Sequence, residues 1–436
     1  MTGYVPRSLT RDRVLEAEEC TLAGDRLAIG ALTVTFMLSY VQYIFERSDA
    51  VRVMSVVIMI AGSAAFLAVN SRQRRRALLA SLLRPATLGI LAAGTLPSLI
   101  SSLYRPNLYP FEYGLLLILT LLAARILLTG IGFEGLMLAF FYATATAVII
   151  VVILNFDRLV AAMGPTRFSP LSFDPNRTAF FAVTSIPAQI WYVMRRPGKK
   201  YVLLVTALCL VVTVAASSRG SIGALLIGGI LTSALYLTRL IKSRPQWHSP
   251  KRWIHALVLL FFCILGVTFG QAKIETVANS LRTKLEIDTK DRGMNSGFTG
   301  RTKNWATLFE VMPKTYWLAG NGYRTTDEDF GFPVDNGYLS SVYELGLFST
   351  VVLTAKYLLV LISISIAYVT NKSASGSSLP AVLFTLTIFI ANAFVHRVFF
   401  GYGDQASLWV LFIIVSTRQD ILDAIPKGDG RIALYS

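Results

Sequence analysis

Apolar residues recur along this chain in runs of about 20, the length that an α-helix needs to cross a bilayer. Hydrophobic residues make up 54% of the sequence and charged residues only 15%. The runs predict about twelve membrane-spanning helices. Their expected bounds are 27–45, 51–69, 86–103, 113–130, 134–154, 177–194, 200–216, 221–240, 253–270, 345–370, 379–396 and 404–418. We therefore expect an all-α polytopic membrane protein with both termini on one side.

The polar connection at 271–336 is much longer than the others, at about 65 residues, and long loops in compact proteins usually carry function. Within it, spacing predicts an amphipathic helix from Arg301 to Met312, and Gly320 and Gly322 indicate irregular backbone after it. The chain thus divides into an N-terminal tail (1–26), a membrane domain (27–418) that includes the loop, and a C-terminal tail (419–436).

Lys and Arg are concentrated in alternate connections, and such basic loops remain in the cytoplasm. The basic connections follow the second, sixth and eighth predicted spans, and contain Arg72, Arg74, Arg75, Arg76 and Arg84; Arg195, Arg196, Lys199 and Lys200; and Arg239, Lys242, Arg244, Lys251 and Arg252. Both termini are therefore expected in the cytoplasm and the 271–336 loop on the outer side.

The net charge of +16 raises the question of a nucleic-acid partner, but its distribution argues against one. The 271–336 loop holds nine Lys or Arg and nine Asp or Glu, so the excess charge lies mainly on the cytoplasmic side. Basicity here indicates topology and contact with anionic lipid. Cys20 lies in the tail and Cys209 and Cys263 lie in spans, which predicts neither a disulfide framework nor a metal site.

Arg219 lies in a short turn of small residues, Ser217 to Ser221, at the outer end of a span. A cation at that depth is costly unless it reaches water or binds a partner. One interpretation is an Arg that snorkels to the interface. The other is an anion clamp, because a guanidinium binds phosphate or carboxylate through two parallel hydrogen bonds.

Arg301 opens a predicted helix directly after Thr299 and Gly300. The free amides of a helix start can bind an anion while the Arg side chain adds charge. Thr299 alone is equally typical of a helix cap. Further outer cations can join Arg219 and Arg301 in holding a pyrophosphate, namely Arg167, Arg177, Arg324 and Arg397.

Asp335 and Asn336 precede a helix that is expected to start near Tyr338. Helix capping accounts for this sequence. The alternative is a carboxylate at the mouth of the bundle that accepts a proton from a sugar hydroxyl. Glu344 is half a turn out of phase with Asp335 on a continuous helix, so the two acids are not expected to face one site.

His396 and Arg397 end the eleventh predicted span on the outer side, where the aromatic residues after them are typical interface anchors or sugar-stacking platforms.

Two cations fall within predicted spans. Arg125 is expected to snorkel to the cytoplasmic face, whereas Lys356 lies near mid-membrane and must face the bundle or a polar partner.

Several short motifs occur in a fixed order along the outer side. They are Asp174-Pro175-Asn176-Arg177, Ser218-Arg219-Gly220, Thr299-Gly300-Arg301-Thr302 with Trp305, Asp335-Asn336-Gly337-Tyr338-Leu339 and Glu344-Leu345-Gly346-Leu347. In this order the chain resembles the bacterial O-antigen ligase and polymerase superfamily over roughly residues 170–410, and is most similar to Wzy-type polysaccharide polymerases. Ligases of the superfamily usually carry His-Asn where this chain has Asp335-Asn336, which favours a polymerase.

The resemblance implies a GT-C-like fold in the bacterial inner membrane with a periplasmic active site. It implies that a glycan on undecaprenyl diphosphate is transferred, with inversion, to a second lipid-linked repeat unit. Arg219 and Arg301 would hold the leaving group and Asp335 would act as base. The expected substrate-binding residues are Arg177, Thr299, Arg324, Asn336, Tyr338, Glu344, His396 and Arg397. No cofactor or metal is expected, and the resemblance admits a chain-length-determining co-polymerase as a partner.

Two other functions fit the same sequence. An O-antigen ligase shares the donor chemistry but transfers finished polymer to lipid A-core. A lipid-linked glycan flippase or solute transporter would also have about twelve spans, although such proteins often show internal repeats and interrupted helices.

Overall fold

The computed structural model describes residues 7–41, 49–104, 109–162, 167–170, 175–196, 198–199, 201–243, 301–312, 315–322, 325–331, 334, 336–371, 374, 377–394 and 405–425. Within these ranges all regular structure is α-helical apart from single 3₁₀ residues. The first nine helices are α1 (Arg7–Val41), α2 (Asp49–Val69), α3 (Arg72–Leu82), α4 (Pro85–Ser101), α5 (Tyr109–Leu154), α6 (Phe156–Ala161), α7 (Pro175–Arg195), α8 (Val202–Ala215) and α9 (Arg219–Ser243).

The remaining described helices follow the long polar loop or lie in its last part. They are α10 (Arg301–Val311), α11 (Thr325–Phe330), α12 (Gly337–Leu345), α13 (Leu347–Thr370), α14 (Leu379–Asn392), α15 (Gln405–Ile414) and α16 (Arg418–Asp423). Every predicted span overlaps one of these helices except 253–270, which lies outside the described residues. The helix expected from Arg301 is confirmed as α10, whereas α11 was not predicted.

Some of these helices are long and apolar enough to cross a membrane. By length and composition, four stretches of the described residues qualify: Leu22–Tyr40, Pro110–Leu154, Arg219–Arg239 and Leu347–Thr370. α3 and α4 qualify together as a pair bent by 53°. The chain is thus an all-α membrane protein, while the count of twelve crossings and their orientation stay predictions.

α5 contains two of the predicted spans joined at Gly132. Its 46 residues would extend about 69 Å as a straight helix, against about 30 Å for the hydrocarbon core. Gly132 interrupts the helix with φ 64° and ψ −173°, a conformation essentially restricted to glycine. The two arms, 109–131 and 133–154, can therefore each cross the bilayer.

The neighbours of the two arms differ. The first arm packs against α4, with Gly114 opposite Ser98. The second arm packs antiparallel to α7, because Glu134 pairs with Arg195 and the ring of Phe141 stacks on that of Tyr192 at 3.9 Å between centroids. Gly132 thus lies at the end of the bundle where α7 finishes.

The ion pairs of the described residues concentrate at this end, which we call the ion-pair end. Arg74 donates to the carboxylate of Asp25 at 2.7 Å and to the carbonyl of Gly130 at 2.9 Å, so it joins α1, α3 and α5. Lys356 donates to the carbonyl of Ser416 at 2.9 Å, which confirms the expectation that it faces the bundle or a polar partner. These charged side chains therefore find their partners far from the start of α9.

The expectation that Arg125 snorkels to the membrane face is wrong. Its side chain is fully buried, and it donates to the carboxylate of Asp420 at 2.6 Å and to the carbonyl of Val415 at 3.2 Å. Asp420 also caps α16, where it accepts hydrogen bonds from the amide and hydroxyl of Thr417. A carboxylate within reach stabilises the guanidinium in the interior, so the side chain does not extend to water.

α7, α9 and α14 meet in a small apolar cluster. The buried residues Val183, Ala224 and Ile388, one from each helix, form its centre. Gly228 permits a close approach of α9 to α14, because a Cβ there would lie 2.8 Å from the ring of Phe384. α7 and α9 begin, and α14 ends, on the same side of this cluster, and we call this side the Arg219 end.

Replacing Gly132 with Ala should destabilise the fold by about 1–3 kcal/mol, because Ala adopts this backbone conformation only with strain. No atom lies within 4 Å of the Cβ position, so the effect would be conformational rather than steric. Gly89→Ala is the matched control, since Gly89 lies inside α4 with equally open space. That change should be neutral or stabilise by about 0.5–1 kcal/mol. Thermal unfolding of both purified variants measures the difference; equal midpoints would contradict the prediction.

Candidate functional site

The turn between α8 and α9 places Arg219 at the first position of α9. Ser217 has φ 53°, in the left-handed region, which costs a non-glycine residue about 1–2 kcal/mol. The hydroxyl of Ser218 donates to that of Ser221 at 3.0 Å, across the first turn of the helix. The amides at this helix start lack helical partners and carry the positive end of the helix dipole. The half-buried side chain of Arg219 adds its charge there.

Arg167 holds this turn in place. Its Nε donates to the carbonyl of Ala216 at 3.0 Å, and its Nη2 donates to that of Ser217 at 3.4 Å and to Oδ1 of Asn176 at 3.0 Å. Asn176 belongs to the first turn of α7, so one guanidinium joins the starts of two helices. The sequence suggested Arg167 as a further anion ligand, but these hydrogen bonds assign it a positioning role.

Arg177 lies next to Asn176 and is half-buried like Arg219. The hydroxyl of Ser221 donates to the carbonyl of Asn176 at 3.5 Å, which is a second connection between α7 and α9. The structure therefore brings together two of the predicted site residues, Arg177 and Arg219, on adjacent helix starts. Both starts present positive charge at the same end of the bundle.

Asn336 is the N-cap of α12. Its Oδ1 accepts hydrogen bonds from the amides of Tyr338 and Leu339, both at 3.0 Å, and its Nδ2 donates to the carbonyl of Phe394 at 3.4 Å. The capping interpretation is thus confirmed for Asn336. The neighbouring Asp335 lies outside the described residues, so its assigned role as base stays a prediction.

The start of α12 docks on the end of α14. The amide of Gly337 donates to the carbonyl of Ala393 at 2.8 Å, and the hydroxyl of Tyr338 donates to that of Ile390 at 3.0 Å. Burial raises the pKa of Tyr338, so its phenol stays protonated and acts as a donor rather than a base. α14 therefore carries the Asn336 turn.

The Asn336 turn and Arg219 lie at about the same height in the bundle. Ala224 and Ile388 share one cluster. Arg219 precedes Ala224, and Ala393 follows Ile388, by five residues each, or about 7.5 Å along the helix axis. The arginine-bearing helix starts and the Asn336 turn consequently occupy the same end of the structure.

Glu344 lies at the opposite end of α12 from Asn336, about 12 Å along the axis. Its buried carboxylate accepts a hydrogen bond from the hydroxyl of Thr326 at 2.5 Å, and its carbonyl accepts one from the amide of Gly322 at 3.0 Å. Glu344 was predicted to bind substrate. In the structure its described contacts connect α12 to α11, and its role at the substrate stays a prediction.

The segment before α11 packs backbone against backbone on the junction of α12 and α13. Gly320 and Gly346 permit this approach, because a Cβ at Gly320 would lie 2.7 Å from the carbonyl oxygen of Glu344 and one at Gly346 would lie 2.6 Å from that of Leu318. Both glycines have positive φ, of 98° and 85°. The last part of the long loop is therefore a firmly attached piece of the bundle.

Other predicted site residues cannot be placed in this geometry. Arg301 is the first residue of α10, but its side chain lies outside the described part of the structure. Thr299, Arg324, Asp335, His396 and Arg397 lie entirely outside it. Among the residues that are described, no group of three or more His, Cys, Asp or Glu could hold a metal ion.

Sequence reasoning did not identify the positioning role of Arg167, nor did it select Asn392 at the end of α14. An arginine before a serine-rich turn resembles any other outer cation in sequence. An asparagine at a helix end is an ordinary terminator. The helices that these two side chains face become apparent only from the packing.

Comparison with known proteins gives one match. Residues 202–354 match a family model described as O-antigen ligase. Searches of the curated proteins and of the solved structures found no match. The matched region contains the Arg219 turn, α10, the Asn336 cap and the Glu344 junction, and the match supports the resemblance to the O-antigen ligase and polymerase superfamily.

Proposed function

We propose that this protein is a bacterial inner-membrane polysaccharide polymerase that acts at the periplasmic face. In this proposal it transfers a glycan from undecaprenyl diphosphate to a second lipid-linked repeat unit. Superfamily members are glycosyltransferase-like enzymes that act on lipid-linked glycans in membranes, and the finer assignment is ours. Both termini would lie in the cytoplasm, with the Arg219 end of the bundle facing the periplasm.

The observation that carries the proposal is the joined pair of helix starts with Arg177 and Arg219. A helix start favours anions through its free amides and dipole, and a guanidinium binds phosphate oxygens in a bidentate manner. Arg167 and Asn176 hold the two starts together. Two cations on two fixed helix starts suit the two phosphates of a polyprenyl diphosphate.

In the proposed reaction, a hydroxyl oxygen of the acceptor sugar attacks the anomeric carbon of the donor glycan. A new carbon–oxygen bond forms there as the bond from that carbon to the phosphate oxygen breaks. The electron pair leaves with the lipid diphosphate, and the hydroxyl proton passes to a base. A single displacement of this kind inverts the anomeric centre.

Catalysis of this step requires stabilisation of the diphosphate charge as it develops, together with a base. Arg219 and Arg301 are the proposed ligands of the leaving group, assisted by Arg177 and Arg324. Asp335 is the proposed base or hydroxyl-positioning group, next to the Asn336 cap. Thr299, Tyr338, Glu344, His396 and Arg397 remain proposed substrate-binding residues, although Glu344 and Tyr338 make contacts that position the backbone.

A ligase is the second candidate, and the description of the matching family favours it. A ligase would use the same donor and the same diphosphate clamp but a different acceptor, lipid A-core. Asp335 in place of the usual ligase histidine favours the polymerase. A chain-length-determining co-polymerase is a further proposed partner only in the polymerase case.

Deleting the gene should leave single repeat units on undecaprenyl diphosphate, whereas loss of a ligase would leave long unattached polymer. Wild-type protein should restore polymer in this strain, and Arg219→Ala should reduce it about 100-fold, as loss of one transition-state donor does. Arg158→Ala, at an exposed position on α6, is the control and should restore polymer fully. Polymer from membrane-inserted Arg219→Ala at the wild-type level would exclude the proposed clamp.

Arg167→Lys should reduce transfer about 10-fold, because one ammonium cannot replace the guanidinium hydrogen bonds to Ala216, Ser217 and Asn176. The double variant Arg167→Lys, Ser217→Gly should recover part of the activity, since glycine adopts the left-handed turn without support. Ser217→Gly alone should behave as wild type. Transfer rates of the four proteins provide the measurement. Failure of Ser217→Gly to improve the Arg167→Lys variant would contradict a positioning role.

Transfer should proceed without a divalent metal, because guanidinium groups are proposed to neutralise the diphosphate. Purified protein assayed in EDTA should form product at the rate measured with added Mg²⁺ or Mn²⁺. The control is a parallel assay with a metal-dependent glycosyltransferase, which EDTA should stop. A loss of transfer in EDTA that either metal restores would refute metal independence.

A further inference from the structure

The side chain of Asn392, the last residue of α14, is buried without satisfying its amide. The residue is 1% exposed. Neither its Oδ1 nor its Nδ2 has a hydrogen-bond partner among the described residues. A buried polar atom without a partner destabilises a protein. A functional role, such as binding a polar molecule, would account for keeping Asn392 at this position.

The helical phase of α14 shows which way Asn392 points. Ile388, one turn earlier, packs with Val183 of α7. Phe389, three residues earlier, contacts Phe180 of α7 with ring centroids 5.7 Å apart. Residues three and four apart share a helix face, so Asn392 also faces α7. Since α7 and α14 run in opposite directions, it faces the first turn of α7.

That first turn is part of the proposed site. It contains Asn176 and Arg177, and Asn176 is joined to the Arg219 turn through Arg167 and Ser221. The backbone next to Asn392 is already used, because Ala393 and Phe394 accept hydrogen bonds from the Asn336 turn. The Asn392 amide therefore lies between the arginine-bearing helix starts and the cap that follows Asp335, with none of its capacity taken by α12.

The hydrogen-bonding groups of a side-chain amide suit the sugar part of the substrate better than its diphosphate. A side-chain amide offers two donors and one acceptor, and a sugar hydroxyl can both donate and accept. A phosphate oxygen only accepts and would leave Oδ1 unsatisfied. We infer that Asn392 binds a hydroxyl group of the lipid-linked glycan at the junction of α7, α9 and α14, while the arginines hold the diphosphate. This inference deepens the proposed function and rests on it.

The central variant is Asn392→Leu, which keeps the number and branching of the side-chain heavy atoms and has no polar atoms. Its thermal midpoint should equal or exceed that of wild type, because an unpartnered buried amide has been removed. Its KM for the undecaprenyl-diphosphate-linked glycan should rise about 10-fold or more, since a substrate hydroxyl then loses its partner. Asn392→Asp keeps the acceptor and the shape, and its KM should rise less.

Two probes separate the sugar from the diphosphate. Free repeat-unit oligosaccharide should raise the thermal midpoint of wild type but not that of Asn392→Leu. Undecaprenyl diphosphate without sugar should stabilise both proteins and should fail to stabilise Arg219→Ala. The matched control is Asn70→Leu at the ion-pair end, where both amide atoms are bonded, to Phe66 and Arg74. It should lower the midpoint of the free protein and leave KM unchanged.

The outcomes distinguish this inference from the proposed function. If Asn392→Leu keeps the wild-type KM and the response to oligosaccharide, the inference is overturned while the function stands. If the wild-type protein transfers no glycan but is stabilised by the oligosaccharide, and Asn392→Leu is not, the binding role stands and the proposed reaction is overturned. If wild type shows neither transfer nor a response, both are overturned. If Asn392→Leu does not insert, an unchanged KM in Asn392→Asp together with an unchanged response to oligosaccharide would overturn the inference.

Discussion

The packing of Ile388 against Val183 and Ala224 is the contact on which the arrangement of the site depends. It fixes the relative heights of three helices, and their ends carry nearly all the described site residues. α7 and α9 begin just beyond the cluster, and α14 ends there and carries the Asn336 turn. A sliding of one helix by a single turn, about 5.4 Å, would separate the arginines from that turn.

Polar side chains have different partners at the two ends of the bundle. At the ion-pair end, Arg74, Arg125 and Lys356 have partners within the protein, which is the condition for keeping charge in an apolar interior. At the Arg219 end, Arg167 donates to the backbone carbonyls of the turn before α9. Arg177 and Arg219 lie at helix starts, and the side-chain amide of Asn392 has no hydrogen-bond partner among the described residues. This contrast is typical of a stable scaffold that supports a binding surface for a polar substrate.

Most helices were predictable because each depends on local sequence. Apolar runs located the spans, the Arg301 segment located α10, and the Asp-Asn-Gly sequence located the cap of α12. The error about Arg125 came from a long-range contact. Arg125 was expected to reach water because its partner Asp420 lies 295 residues away in sequence. The sequence likewise does not reveal that Thr326 folds back to the carboxylate of Glu344, whose role at the substrate stays a prediction.

The sequence by itself determined the all-α membrane class, the approximate bounds of the helices, the order of the outer motifs and the expected sidedness. These follow from hydrophobicity, helix capping and charge, which act within a few residues of the chain. Only the tertiary structure decided that α5 turns at Gly132, that Arg167 holds two helix starts and that Asn392 faces one of them. Such facts depend on which helices pack together and at what height, and helix packing joins residues that are far apart in the sequence.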